Sequence, residues 1–514
     1  MSNELTINPL TRIEGHLAVH AETEEAEAGG KKGFRVKEAK CEGEMFRGLE
    51  KIIEGRDPLD AQQIMQRTCG VCPISHGIAS IRAQEMAYQL KPTHNGRLLQ
   101  NLILAANHLH SHVLHFYHLA ALDFVDIKAI LQYAGTDKLL NKLKSWVEQA
   151  VARKDILPAA PFLPRYERDY VQDLDVNMTL LSHYVRALEV RRTCDEMGAI
   201  FGAHLPHSTA IVPGGCTQVP TIERVLAYRT RLLEATAFIK DVYLPDVLAV
   251  AKTFKAYFDI GRGCGSFLCF GAFPMDDANT PENQFFRPGT VIDGKWAPLD
   301  VSKVAEDVAS SWYAQPSGLH PDKGEANAAP DKPGAYSWIK APRYAGRPLE
   351  VGPLARVLTN YHDAGAAWVK KELDAVLTSL DLPLEKMASV MGRHLARGLE
   401  TVWVADQCMK WLSEIEIDGP PASDFKIPKS GSGYGLTEAP RGALGHWITI
   451  EDYKVKRYQS VVPTTWNCSP RDDRGQPGPV EQALAGTFIE DPAQPIELGR
   501  IVRSFDPCLA CAVH

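Results

Sequence analysis

Three observations make this sequence a mainly α-helical chain with small β elements. Apolar residues recur at helical spacing over Asp60 to Gln89, Asn95 to Val125, Met178 to Phe201, Ile222 to Tyr257, Leu349 to Leu380 and Leu384 to Ile417, filled with helix formers such as Leu, Ala, Glu and Arg. Near the N-terminus the pattern is instead one of alternation. Between Gly271 and Pro348 both patterns give way to Pro, Gly, Asp and Asn.

Taken in order, Leu17, Val19 and Ala21 alternate with Ala18, His20 and Glu22, and a second extended run covers Phe34 to Ala39. A β-hairpin over about residues 15–40 is expected, with polar, Gly-rich Glu24 to Gly33 as its solvated turn. Glu24, Glu25 and Glu27 read as surface charge. Pro73 and Pro92 interrupt the first helical stretches. The five histidines from His108 to His118 would point to several faces of one helix, which suits packing and hydrogen bonding better than a metal site. Segment 271–348, with Pro316-Ser317-Gly318 and Pro330-Asp331-Lys332-Pro333-Gly334, is expected to be an irregular insert holding short strands such as Thr290 to Ile292. Beyond Gly419, Ala443 to Tyr453 and Tyr458 to Val462 resemble strands. With no internal repeat or low-complexity tract, residues 1–514 are expected to form one unit.

Composition narrows the function. The 514 residues include 56 Lys and Arg against 63 Asp and Glu, a formal charge of −7, so there is no basic excess to neutralise a nucleic acid. Hydrophobic residues make up 45% and charged ones 23%, enough for a large core. No apolar run approaches the ~20 residues needed to cross a bilayer, and the opening Met1-Ser2-Asn3-Glu4-Leu5 lacks the charged and apolar regions of a signal peptide.

The 11 cysteines carry the chemistry through their placement. Cys69 and Cys72 form one CxxC pair and Cys508 and Cys511 another, at opposite ends of the chain. Cys41, Cys194, Cys216, Cys264, Cys269, Cys408 and Cys468 form no pair and read as small buried hydrophobes. Two thiolates three positions apart can hold one soft ion, and two such pairs suggest a four-thiolate site built from both chain ends. A structural zinc site fits the same pairs; against it, zinc pairs usually lie close in sequence and knit a small domain. A thioredoxin-like dithiol needs a βαβ setting that neither pair has. Coincidence is the remaining alternative.

The motifs around these pairs resemble those of the nickel-iron hydrogenase large subunits. The resemblance runs the length of the chain: Asn8-Pro9-Leu10-Thr11-Arg12-Ile13-Glu14-Gly15-His16, Phe46-Arg47-Gly48-Leu49-Glu50, Arg67-Thr68-Cys69-Gly70-Val71-Cys72-Pro73, His115-Phe116-Tyr117-His118-Leu119, Gly392-Arg393-His394, Glu438-Ala439-Pro440-Arg441-Gly442-Ala443, Val461-Val462-Pro463-Thr464-Thr465-Trp466-Asn467 and Asp506-Pro507-Cys508-Leu509-Ala510-Cys511. It implies the family's fold, a long helical bundle with peripheral short sheets. It implies nickel held by all four cysteines, Cys69 and Cys508 as terminal ligands and Cys72 and Cys511 bridging to an iron that carries carbon monoxide and two cyanides. Soft thiolates suit both metals.

By the same match Cys508 would first accept the proton from dihydrogen and Glu14 would relay it. Arg441 would lie over the metals with Asp506 as its ion-pair partner. Pro440, Leu444 and Thr464 would surround the diatomic ligands, Thr464 donating to a cyanide, and His76 would donate to a cysteine sulfur. Glu50, the carbonyl of Ser460 and His514 match ligands of a separate ion, magnesium or iron. Ending at His514, the sequence resembles the mature form, left after a maturation protease removes a C-terminal extension. Ser111 departs from the aspartate of many relatives; with Met391 to His394 and Arg471 to Gln476 it is similar to the nickel-iron-selenium branch, whose selenocysteine position is here Cys508.

No cysteine cluster remains here to bind iron-sulfur centres, so an iron-sulfur small subunit is implied as an obligate partner, with a redox partner such as a cytochrome beyond it. The family places such enzymes in the periplasm, carried by the small subunit's export signal and membrane-associated through partners; a cytoplasmic location stays open. The activity implied is reversible heterolytic cleavage of dihydrogen, in respiratory hydrogen uptake. A hydrogen sensor with slow turnover is the alternative, and a non-catalytic four-cysteine scaffold is disfavoured because all four thiols are retained.

Overall fold

A computed structural model describes residues 3–153 and 160–514. Its first sheet is antiparallel in the order β1 (Asn3–Ile7), β2 (Leu17–Ala28), β3 (Lys31–Gly43) and a late strand, β16 (Phe488–Ile489). The β2–β3 hairpin is the expected one, but its turn is only Gly29-Gly30, both at positive φ; Glu24, Glu25 and Glu27 lie within β2 and are exposed. Charged side chains on the solvent face of an antiparallel strand cost nothing, so the turn is shorter than the polar stretch suggests.

The expected helices form with corrected ends. The first stretch is α1 (Leu49–Ile53), α2 (Pro58–Gln66) and α3 (Pro73–Tyr88), the break before Pro73 being the segment that carries Cys69. α4 (His94–Leu114) runs on through a π-turn at His115–Ala120. α5 (Lys138–Arg153) was not foreseen. α6 (Leu174–Gly202) follows, and then α7 (Ile222–Phe238) and α8 (Leu244–Thr253), joined by a second π-turn. The stretch from Leu349 is not one helix: Leu349 to Val351 are extended, α9 (Pro353–His362) starts at a proline, and Asp363 separates it from α10 (Ala367–Leu380). α11 (Val390–Glu414) starts later than Leu384, capped by the Ser389 hydroxyl, which accepts from Gly392 N at 3.0 Å.

The 271–348 segment is irregular, with small antiparallel sheets: β4 (Ile211–Val212) with β5 (Gly215–Cys216) precede it, β6 (Phe267–Cys269), just before it, forms one sheet with β9 (Gly289–Ile292) and β10 (Lys295–Ala297), β7 (Ala272–Pro274) and β8 (Gln284–Phe286) form a second, β11 (Val304–Asp307) and β12 (Ala341–Tyr344) a third. A larger sheet follows, β13 (Ser430–Ala439), β14 (Gly442–Glu451) and β15 (Lys454–Val461). The expected Ala443 to Tyr453 strand is therefore β14, cut short because Asp452 and Tyr453, at φ 49° and 61°, make the turn to β15. β13 was unforeseen. Its Gly431, Gly433 and Gly435 lie on the backbone of α3: a Cβ would stand 2.8 Å from Ala87 O, 2.3 Å from Ala83 O and 2.0 Å from Ala79 O. The strand is glycine-rich because the helix leaves no room for side chains.

The chain ends in α12 (Pro463–Asn467), α13 (Pro479–Leu484), α14 (Ile496–Ser504) and α15 (Leu509–Ala512). One apolar core reaches from Leu10 and Leu17 through α4, α6 and α11 to Val513, and it surrounds the four paired cysteines.

Candidate metal centre

The two CxxC pairs meet. Cys69 precedes α3 by a short turn in which Val71 N donates to its sulfur at 3.2 Å, Cys72 caps α3 ahead of Pro73, and Cys508 caps α15, which carries Cys511. Cys69 Sγ and Cys508 Sγ stand 3.3 Å apart, Cys72 and Cys511 3.3 Å, Cys508 and Cys511 3.0 Å, and all four sulfurs lie within 4.8 Å of one another. Disulfides need ~2.05 Å, and every cysteine is free. Thiolates ~2.3 Å from one ion stand about 3.3 Å apart at right angles. The spacing therefore fits sulfurs converging on a metal. Hydrogen bonds from Cys508, Cys511 and Cys72 pull the Cys69 thiol well below its ordinary pKa, while burial pushes Cys508 well above it.

Three guanidinium groups and one carboxylate bring the chain ends together. Arg47 Nη2 donates to Thr68 O at 2.5 Å and also to Ala510 O, so it stitches one cysteine motif to the other. Buried Asp123 accepts from Arg12 Nη2 at 2.5 Å and from Arg503 Nη1 at 2.8 and 2.9 Å. Arg12 leads into Glu14 and Arg503 into Cys508. These segments then pair as parallel β-bridges: Glu14 N donates to Pro507 O at 3.3 Å and Leu509 N to Glu14 O at 2.9 Å.

That pairing sets the Glu14 carboxylate on the cluster. Its Oε2 accepts from Cys508 Sγ at 3.0 Å and from Ala510 N at 3.0 Å. Burial raises the Glu14 pKa, and the Cys69 thiolate raises it further, against those two bonds and the charge of Arg441. Glu14 is half-buried and followed by exposed Gly15 and His16.

Arg441 is buried at the tip of the two-residue β13–β14 turn, Pro440-Arg441, since Ala439 pairs with Gly442. Its Nη2 stands 2.9 Å from Asp506 Oδ1 and its Nη1 donates to Ser111 Oγ at 3.5 Å. Burial opposes its charge, but Asp506 and the thiolates of Cys508, Cys72 and Cys69 outweigh that and hold the guanidinium firmly protonated. Pro440 and Leu444, on the same turn and strand, are buried beside it. Thr464, at the start of α12, accepts from Cys508 N at 2.8 Å, leaving its own hydroxyl proton to donate elsewhere.

His76 Nε2 lies 3.4 Å from Cys511 Sγ, His76 Nδ1 3.1 Å from His446 Nε2, and His446 Nδ1 2.7 Å from Tyr458 OH. Burial pushes His76 down to about 3 and His446 well below its ordinary value, so both are neutral. One set of tautomers satisfies the chain: Tyr458 donates to His446, His446 to His76, and His76 to the sulfur.

Below the cluster, His514 Nε2 lies 3.1 Å from Ser460 O and 3.3 Å from Glu50 Oε1, and Ser460 N donates to the same oxygen at 2.7 Å. Ligands about 2.1 Å from an octahedral cation stand about 3.0 Å apart, so these three donors fit a small hard ion. Buried Lys340 flanks them, 3.9 Å from Glu50 Oε2 and 3.3 Å from Glu306 Oε2.

Every site residue named from the sequence thus falls in this region. The structure adds Arg47, Asp123, Lys340, His446 and Tyr458. Arg47 stands in a motif already noted; nothing local marks the others, whose partners are distant in sequence.

Known proteins agree with the geometry. A family described as nickel-dependent hydrogenase matches residues 47–514. The periplasmic [NiFeSe] hydrogenase large subunit of Desulfomicrobium baculatum is 42% identical over 99% of this chain and 95% of its own length. The hydrogenase-1 large chain of Escherichia coli (strain K12) is 35% identical over 99% and 94%. Among solved structures, the reduced Ni-Fe-Se hydrogenase of D. vulgaris Hildenborough superposes with a TM-score of 0.86 at 40% identity, covering 100% of both chains. With four buried thiolates set for a metal and similarity along its whole length to such proteins, the chain belongs to the nickel-dependent hydrogenase family, among its large subunits.

Proposed function

We propose that in this hydrogenase subunit the proton released from dihydrogen leaves through Cys508 and Glu14. The observation that carries the reading is the 3.0 Å contact from Cys508 Sγ to Glu14 Oε2 at the edge of the four-sulfur cluster. The donor set fits a nickel-iron pair, which Cys69, Cys72, Cys508 and Cys511 would hold together with carbon monoxide and cyanide on the iron, and that pair would supply the site where dihydrogen binds and its two electrons are taken up.

The protein's own groups do the rest. Cys508 holds the proton within hydrogen-bond reach of a carboxylate whose pKa burial has raised, which makes Glu14 a fitting acceptor. Arg441, fixed by Asp506, keeps a positive charge beside the thiolates and offsets the negative charge that four sulfurs bring into an apolar core. Thr464 holds the Cys508 backbone, and the Tyr458–His446–His76 chain orients a donor onto Cys511. Glu50, the Ser460 carbonyl and His514 hold magnesium, or iron, in a structural role.

Electrons leave to an iron-sulfur small subunit and pass on to a redox partner such as a cytochrome. The periplasmic relative supports a periplasmic location, with membrane association through partners; among the described residues no helix is long and apolar enough to cross a membrane. Infrared spectroscopy with metal analysis tests the nickel-iron reading: one carbonyl band and two cyanide bands in a nickel-containing sample are expected. A folded sample holding zinc without those bands would overturn it.

A further inference from the structure

We infer that Arg356 is the positioning residue for Arg441, and that Glu400 holds Arg356 in place. The inference rests on the role given to Arg441 above. Arg356 is fully buried on α9, 85 positions before the turn it serves, and it spends all five of its N–H donors. Nη1 donates to Glu438 Oε2 at 2.7 Å and to Ala439 O at 3.0 Å; Nη2 donates to Pro440 O at 2.8 Å and to Glu400 Oε1 at 2.5 Å; Nε donates to Glu400 Oε2 at 2.9 Å. Three of the five acceptors belong to the three residues directly before Arg441.

The turn is gripped from other sides too. Glu438 accepts from Phe270 N at 2.6 Å through its carboxylate and meets His108 Nε2 at 3.0 Å through its carbonyl. At the tip the backbones touch: a Cβ on Gly442, at φ 134°, would stand 2.6 Å from Gly352 N, the cap of α9. Only glycine allows that approach. So the turn is met by the Gly352 backbone that caps α9 and, one helical turn on, by the five-donor fork of Arg356.

His108, His112 and Glu400 have ligand atoms within 4.8 Å of one another and could be taken for a second metal site. Both oxygens of Glu400 are already bound by Arg356, however, and a cation there would face a buried guanidinium. His112 Nε2 instead lies against the carboxylate that anchors Arg356, 2.6 Å from Glu400 Oε1. Lysine could not replace Arg356, because an ammonium has three donors and no planar fork.

The test is Arg356→Lys in the assembled enzyme, read by amide hydrogen exchange, nickel content and turnover. Exchange in a peptide spanning 437–445 should quicken at least about tenfold, with peptides around Cys69 and Cys508 unchanged and nickel retained. Turnover should fall about 100-fold, the size expected when a group is misplaced by about an ångström. An unchanged turn peptide, a general quickening that includes the cysteine peptides, or full turnover despite a loosened turn would each overturn the inference. Should Arg356→Lys fail to assemble, Glu400→Gln, which keeps the arginine and removes its anchor's charge, is read the same way. Arg441→Lys separates the two claims: full turnover there would refute the role of Arg441, while the exchange data alone decide what Arg356 holds.

Discussion

Replacing Glu14 by glutamine removes a base and almost nothing else. The carboxylate uses one oxygen, Oε2, to accept from both Cys508 Sγ and Ala510 N, each at 3.0 Å. An amide oxygen has two lone pairs and can accept both, so stability should change by less than about 1 kcal/mol. What the amide cannot do is take the proton. Positioned general bases contribute about 10²–10⁴ in rate, or roughly 3–5 kcal/mol of barrier at 1.36 kcal/mol per tenfold. The assay is isotope exchange between dihydrogen and D2O, followed by mass spectrometry on nickel-loaded protein. Exchange should fall by at least about 100-fold with nickel content unchanged. Glu14→Asp, which keeps the base but draws it back by about 1.5 Å, should fall between the two. Exchange in the glutamine variant within about twofold of the parent would refute the route, since no other carboxylate is bonded to the four sulfurs among the described residues.

The other expectations concern the site and its supports. Cys508→Ser exchanges a soft ligand for a hard one and should abolish hydrogen-dependent dye reduction while circular dichroism stays unchanged. Glu50→Gln should strip the hard cation and leave nickel in place, as metal analysis by mass spectrometry would report; loss of both together would contradict two independent ion sites. Asp123→Asn leaves Arg12 and Arg503 without their shared carboxylate, a loss of about 3–5 kcal/mol by denaturant unfolding for a broken buried pair. Glu85 is the pH case: burial raises its carboxyl to about 7, above the ~4.3 of an unfolded chain, so the native state binds the extra proton and stability is lost as pH rises between those values. Its Oε1 accepts from Gly214 N at 2.9 Å and from Gln100 Nε2 at 3.3 Å, both of which glutamine can retain. Glu85→Gln should therefore gain up to roughly 3 kcal/mol over the parent between pH 5 and pH 8; equal pH profiles would dismiss the buried charge.

Much of the site was legible because its chemistry sits in contiguous motifs. The two CxxC pairs, Glu14 and the Pro440-Arg441 turn each stand in a short run, and resemblance then assigned their roles. The supports were not legible, since Arg356, Glu400, Asp123 and His446 act through partners far away in sequence. Of the fold, the hairpin and the long helices follow from periodicity. β13 does not: Ser430-Gly431-Ser432-Gly433-Tyr434-Gly435 reads as a flexible loop, and only the helix lying against it explains why alternate positions lack a side chain. The Leu349 to Leu380 run misled because its apolar spacing continues through extended Leu349 and Val351, whose side chains enter a separate core with Trp447 and Trp466.

The parallel bridge between Glu14 and Cys508 has a consequence for how tightly metal is kept. Half of the sulfur ligands ride on the last seven residues, where Cys508, Cys511 and Val513 are each at most 2% exposed. An ion held there has no open mouth through which to depart; it can leave only when the bridge, the Arg47 stitch and the buried α15 turn let go together. Metal loss is then limited by the rate at which this terminal segment peels away and not by the strength of any one metal–sulfur bond. A chelator, however strong, would have to wait for the tail.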